Sequence, residues 1–202
     1  TAGNANSFLI KDIYFTKLKI KTHAPRIRVI KKPYVYWCTK NTARVAWETN
    51  LHGKSSIVKY STGKDSKVIT TATNDFVHLA ILENLKPNQL YHYKCYTNGL
   101  FAGKGSFRAD PGEKQPFSFG LIGDNRTYPE NFKKLNELMS REKPDIVLNV
   151  GDIVELGLQS DWSWEFFEPN EVISKIAPYF ISIGNHEIST LLFNMVSELN
   201  HQ

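Results

Sequence analysis

Three stretches decide the reading of this chain: FSFGLIGDNR at residues 117–126, DIVLNVGD at 145–152 and PYFISIGNHE at 178–187. Each is a short apolar run that ends on a glycine followed by a polar residue. Short apolar runs bounded by turn residues read as buried strands, over 116–122, 145–150 and 178–183. Between the first two, residues 128–142 have helical spacing, with Phe132, Leu135 and Leu138 on one stripe, ended by Pro144-Asp145. Between the second and third, residues 161–175 read as a second helix, with Trp164, Phe167 and Val172 as candidate buried positions. Strand, helix, strand, helix, strand predicts right-handed crossovers and a parallel sheet.

The polar residues fall where that architecture binds ligands. Asp124, Asp152 and Asn185 each follow a glycine at the carboxyl end of a strand, the edge at which open α/β sheets take their ligands. They lie 28 and 33 residues apart in sequence, yet parallel neighbours bring such positions together. Two carboxylates and an amide oxygen, with His186 beside them, are suitable ligands for hard or borderline divalent metals. Taken singly, a Gly-Asp pair after a strand also reads as a turn or a helix cap. Arg126 has two readings, a contact to phosphate or a surface salt bridge.

The region ahead of these stretches has a different period. Residues 34–38, 43–48, 57–60, 68–73, 76–82, 90–97 and 105–109 read as short strands divided by polar turns, without a helical pattern, which predicts an antiparallel β-sandwich. Leu85-x-Pro87-x-x-x-Tyr91 places a tyrosine just after a turn at the start of a late strand, where a tyrosine corner ties its hydroxyl to the chain upstream. Trp47 is a natural core residue. These features resemble a fibronectin type III-like domain, and the strand pattern alone also suits another sandwich.

Composition bounds the rest. The chain has 202 residues, 41% hydrophobic and 22% charged, which suits globular structure and excludes a wholly disordered or fibrous chain. No apolar run approaches the ~20 residues of a membrane-spanning helix. Cys38 and Cys95 permit at most one bridge and read more simply as free thiols, and no CxxC or Cys/His cluster suggests zinc. The net charge of +5 is split: residues 1–116 hold 19 Lys and Arg against 7 Asp and Glu, and residues 117–202 hold 6 against 13. The basic part admits a nucleic-acid reading, but no nucleic-acid motif accompanies it, and lysines spread over strands read as a solvated face. Residues 1–24 are basic, with L-K-I-K alternation that suits a short strand or a tail and no continuous apolar stretch of a signal peptide. The organisation expected is a basic segment at 1–24, a sandwich at 25–112 and an α/β region at 116–202.

The order GD…GD…GNHE resembles the calcineurin-like metallophosphoesterases, and with the sandwich ahead of it the chain is similar to purple acid phosphatases. The resemblance covers about residues 25–190. It implies a hydrolase acting on phosphate esters through two divalent metal ions (iron, zinc or manganese), with Asp124 on one metal, Asp152 bridging both, Asn185 on the other, and His186 contacting substrate phosphate and protonating the leaving group. It also implies a secreted or periplasmic protein. The first motif departs from the family's Asp-x-His or Asp-x-Gly: Asp124-Asn125-Arg126 supplies no histidine ligand. Glu155 stands where purple acid phosphatases have a tyrosine that binds ferric iron, which argues for other divalent metals. After His186 only His201 follows, without the family's VxxH- and GHxH-like motifs, so the resemblance implies a partial catalytic domain with an incomplete ligand set. A rival reading makes the sandwich a non-catalytic binding module, with the second region inactive.

Overall fold

The structure is a computed structural model that describes residues 25–71 and 75–187. The expectations for residues 1–24 and 188–202 lie outside these residues.

Seven strands form the sandwich: β1 (Val29–Cys38), β2 (Ala43–Gly53), β3 (Ser56–Thr62), β4 (Asp65–Thr70), β5 (Asp75–Leu82), β6 (Leu90–Thr97) and β7 (Leu100–Arg108). One sheet has the order β1-β2-β5, the other β4-β3-β6-β7, and every pairing is antiparallel. Alternation is the reason: in β6, Tyr91, Tyr93, Cys95 and Thr97 point inward while Leu90, His92 and Lys94 face out. Trp47, Val58, Leu82, Tyr93, Cys95 and Phe107 fill the core between the sheets. Both cysteines are free, Cys95 buried and Cys38 half-buried. The tyrosine corner forms as the sequence predicts, with the Lys86 amide donating to the Tyr91 hydroxyl at 2.8 Å.

One end of the core is polar. His78 lies between the hydroxyls of Thr49 (2.8 Å from Nε2) and Ser56 (3.1 Å from Nδ1). Trp47 Nε1 donates to Thr97 Oγ1 at 2.8 Å. Burial lowers the His78 pKa, so the ring is held neutral.

The second region is a parallel sheet of β8 (Phe119–Ile122), β9 (Ile146–Asn149) and β10 (Tyr179–Ile181), with β9 in the centre. Helix α1 (Pro129–Glu142) links β8 to β9. A continuous helical segment links β9 to β10: α2 (Gln159–Asp161), a π-helical turn (Trp162–Phe167) and α3 (Glu168–Ser174). The crossovers and parallel sheet are those expected, but the buried faces differ. On α1, Phe132, Asn136 and Met139 face the core, whereas Leu135 and Leu138 are 50% and 54% exposed. The inward stripe thus runs i, i+4, i+7 from Phe132 through a buried asparagine, which an apolar count passes over. In the second helix Trp162, Phe166 and Ile173 are buried and Trp164 is 51% exposed. The π turn inserts one residue into the helical repeat and rotates the face, so regular spacing misplaces it.

The two regions meet through few but specific contacts. Tyr93 Oη donates to the Lys175 carbonyl at 3.1 Å, and the Ser106 amide donates to the same oxygen at 3.0 Å. Lys31 bonds Glu48 at 2.7 Å and lies over the Phe167 ring at 4.3 Å. Lys32 pairs with Glu171 and Arg108 with Asp145. No described helix is long and apolar enough to cross a membrane.

Candidate metal centre

Strand register sets the site. Ile122 and Ile181 are both level with Asn149, so the three loops leave the sheet side by side. The ladder continues into them: Val150 N–H donates to Ile122 O at 2.9 Å, Ser182 N–H to Asn149 O at 2.8 Å, and Asp124 N–H to Gly151 O at 2.9 Å. The amides of Asn125 and Arg126 both donate to Asp152 O, at 3.1 and 3.3 Å. Asp124 and Asp152 therefore come together as the sequence predicts, and both adopt left-handed backbone, φ 50° and 53°. Aspartate tolerates that conformation better than most residues, and such conformations gather at functional sites.

The glycines have a steric reason. Gly151 has φ 101°, and a Cβ there would meet the backbone of Gly184. A Cβ on Gly184 would run into the Asp152 carboxylate and amide. Loops β9 and β10 thus touch backbone to backbone, which places the turn at 185–187 against Asp152.

Under the loops is a polar scaffold that the motif reading did not single out. Glu187 is fully buried, and its carboxylate accepts four backbone N–H groups: Ile153 (2.7 Å) and Val154 (3.1 Å) on Oε1, Gly184 (2.8 Å) and Asp152 (3.0 Å) on Oε2. Buried charge without partners is costly, and these bonds satisfy it. Asn149 accepts from the Gly151 amide at 3.0 Å and donates to Asn125 Oδ1 at 2.8 Å and to Tyr179 Oη at 3.3 Å. Asn125 in turn donates to Ile153 O at 3.3 Å. The signal was present in the sequence: Glu187 completes the GNHE quartet, and Asn149 and Asn125 are polar residues inside or beside apolar strands.

His186 is half-buried. Its amide meets Asp152 Oδ1 at 3.3 Å, and Nδ1 lies 2.7 Å from the Glu155 carbonyl. A carbonyl only accepts, so Nδ1 carries the proton of that bond. Asn185 is exposed on the turn beside Gly184. Arg126 resolves its two readings differently from a plain surface pair. Its Nη1 donates to both Asp124 Oδ1 and Asp152 Oδ2 (3.2 Å for the latter), and its Nε donates to Glu155 Oε2 at 3.1 Å. Thr127 Oγ1 also donates to Glu155 Oε2, at 3.0 Å.

In kind, the oxygen donors fit a divalent cation: the carboxylates of Asp124 and Asp152 meet at one side chain and Asn185 lies on the neighbouring turn, with three carboxylates against one guanidinium. Among the described residues no group of three or more His, Cys, Asp and Glu stands ready to enclose a metal. The place between the two aspartates is taken by Arg126.

This sheet edge, with its three Gly-led loops, defines a calcineurin-like phosphoesterase region, and comparison with known proteins agrees. Residues 117–201 match the family model for calcineurin-like phosphoesterases, and residues 31–109 match that for the purple acid phosphatase N-terminal domain. Along most of its length the chain is thus similar to purple acid phosphatase-like metallophosphoesterases. It is 31% identical over 169 residues to purple acid phosphatase 5 of Arabidopsis thaliana, covering 71% of this chain and 41% of that protein. It is 25% identical over 180 residues to a probable inactive purple acid phosphatase 1 of the same plant, covering 78% and 29%. Its fold is similar to that of purple acid phosphatase PPD1 from yellow lupin (Lupinus luteus) seeds, with TM-score 0.62 and 18% identity over 77% of this chain and 35% of that one. The chain thus spans about two fifths or less of the length of these relatives.

Proposed function

We propose that the protein is a metal-dependent phosphoesterase that hydrolyses phosphate esters at the carboxyl edge of β8, β9 and β10. The observation that carries this reading is the convergence of Asp124, Asp152 and the His186 turn on one edge, with both aspartates in left-handed backbone. Asp124, Asp152 and Asn185 would hold divalent ions (zinc, manganese or iron). Bound there, the ions supply Lewis acidity toward the phosphoryl oxygens.

The chain's own residues have distinct tasks. Glu187 fixes the loop backbones, so the ligands need little reorganisation when an anion arrives. His186 is oriented by its Nδ1–H bond to Glu155 O, which leaves Nε2 as the nitrogen that takes up a proton and passes it to the leaving oxygen. Arg126, when not on the aspartates, offers a fork of donors that matches phosphate. Glu155, in place of a tyrosine, provides no phenolate for ferric iron.

The test is hydrolysis of p-nitrophenyl phosphate by the full chain supplied with Zn²⁺ or Mn²⁺, with metal content measured alongside. Activity that needs metal and is lost in Asp152→Ala supports the reading; activity unchanged in that variant overturns it. A second reading, a binding module in which residues 25–112 engage a partner without hydrolysis, is favoured by the guanidinium between the aspartates. Recovery of the same partner by Asp152→Ala as by the unaltered chain, with no hydrolysis by either, supports it.

A further inference from the structure

The cation that the structure places between Asp124 and Asp152 belongs to the chain. Arg126 Nη1 donates to one oxygen of each aspartate, while Nε is anchored on Glu155, itself braced by Thr127. The Arg126 side chain is 24% exposed and that of Asp152 22%, so this pair is screened less than a surface pair, whereas Asp124 is 77% exposed and its pair adds less. A divalent ion binds carboxylate oxygens at about 2.0–2.6 Å. An ion between the two aspartates would take the place of Nη1, on which Asp124 Oδ1 and Asp152 Oδ2 converge. Both cations cannot hold them together.

We infer that Arg126 is an internal competitor for metal: the site alternates between an arginine-locked state, with Asp124, Asp152 and Glu155 on the guanidinium, and a metal-loaded state in which the guanidinium has left the aspartates. This rests on the proposed metal reading of Asp124 and Asp152. Metal affinity is then set partly by the ion pairs that must break. Glu155 tunes the balance, because it holds Nε from the side away from the aspartates. The released guanidinium stays tethered at the same edge, within reach of an anionic ester there. Metal loading would therefore uncover an anion-binding group as well as fill a cation site.

The test is isothermal titration of the chelator-stripped full chain with Zn²⁺, for the unaltered protein, Arg126→Gln, Arg126→Lys and Asp152→Asn. Giving up one partly buried and one exposed charge pair to a competitor corresponds to roughly fivefold to tenfold in affinity. The expected result is about fivefold to tenfold tighter Zn²⁺ binding in Arg126→Gln, an intermediate gain in Arg126→Lys, which cannot span three carboxylates, and loss of binding in Asp152→Asn. A second measurement needs no substitution: the Arg126 Nε–H resonance, retarded in exchange by its bond to Glu155, should shift and exchange faster as Zn²⁺ is added. Unchanged or weaker binding in Arg126→Gln, with Asp152→Asn still abolishing it, would overturn the competition and leave the metal site standing. Absence of Zn²⁺ binding in Arg126→Gln, with the variant shown folded by circular dichroism, would overturn both.

Discussion

Replacing Glu187 by glutamine tests what holds the candidate site in shape. The carboxylate accepts four backbone N–H groups, two per oxygen, and is fully buried. Glutamine keeps the size but has only one oxygen, and its NH₂ end is itself a donor. Whichever way the amide turns, two backbone donors lose their acceptor and face another donor. The better orientation keeps the oxygen on Ile153 and Val154, whose bonds are buried, and gives up Asp152 and Gly184, whose bonds are partly buried and can recruit water.

An unsatisfied buried donor costs about 1–3 kcal/mol. Two, with partial water access, give a loss of about 2–4 kcal/mol, a large share of a typical 5–15 kcal/mol domain stability. Urea unfolding followed by tryptophan fluorescence measures the loss. Hydrogen exchange localises it: the Asp152 and Gly184 amides should lose protection more than the amides of β2 and β6. A loss under about 0.5 kcal/mol, with protection at residues 152 and 184 unchanged, would refute the bonding scheme rather than merely its magnitude.

Further outcomes follow from other parts of the molecule. Tyr91→Phe removes the hydroxyl that accepts from the Lys86 amide and should destabilise the sandwich by about 1 kcal/mol in the same urea assay, without altering Zn²⁺ binding. Because burial lowers the folded-state pKa of His78 below the ordinary histidine value of about 6.5, the unfolded chain protonates first as pH falls. Stability should therefore be full above pH 6.5 and decline below it until the folded pKa is passed, and His78→Gln should flatten that decline in unfolding curves taken from pH 7.5 to 5. Gly184→Ala, whose methyl would meet the Asp152 carboxylate and amide, should cost about 1–3 kcal/mol and weaken Zn²⁺ binding; wild-type values for both would show that the loops do not touch as described.

Much of the fold was legible because its signals were local. Seven strands, a tyrosine corner and three apolar runs ending in Gly-Asp or Gly-Asn are all written in short windows of sequence. The parallel pairing then follows from strand and helix alternation. The errors arose where tertiary context replaces a local rule. A buried Asn136 takes a place in the α1 stripe because its side chain donates to the Pro169 carbonyl, and Leu135 and Leu138 lie outward. A π turn shifts the phase of the second helix and moves Trp164 to the surface. Neither is marked by residue type.

The site divides along the same line. That Asp124 and Asp152 meet on one edge was legible because each belongs to a motif. The contacts of Arg126 were not, because they depend on three carboxylates separated by 2, 26 and 29 residues meeting at one side chain. The structure also connects this to the acidic second region. A sheet edge that carries Asp124, Asp152 and Glu155 is an excess of negative charge before any ligand arrives, and a fold must neutralise it or bind a cation. Where the family that it resembles has Asp-x-His or Asp-x-Gly, this chain has the cation of Arg126. On the proposed metal reading, Arg126 leaves the edge partly balanced in charge without a metal ion. Asp124 and Asp152 can therefore keep their left-handed geometry, buttressed by Glu187 and Asn149, in the absence of metal. It follows that removing Arg126 should make the loops depend on metal for their order: in Arg126→Gln, protection of the Asp124 and Asp152 amides should fall in the stripped chain and return with Zn²⁺, whereas in the unaltered chain it should change little between the two conditions.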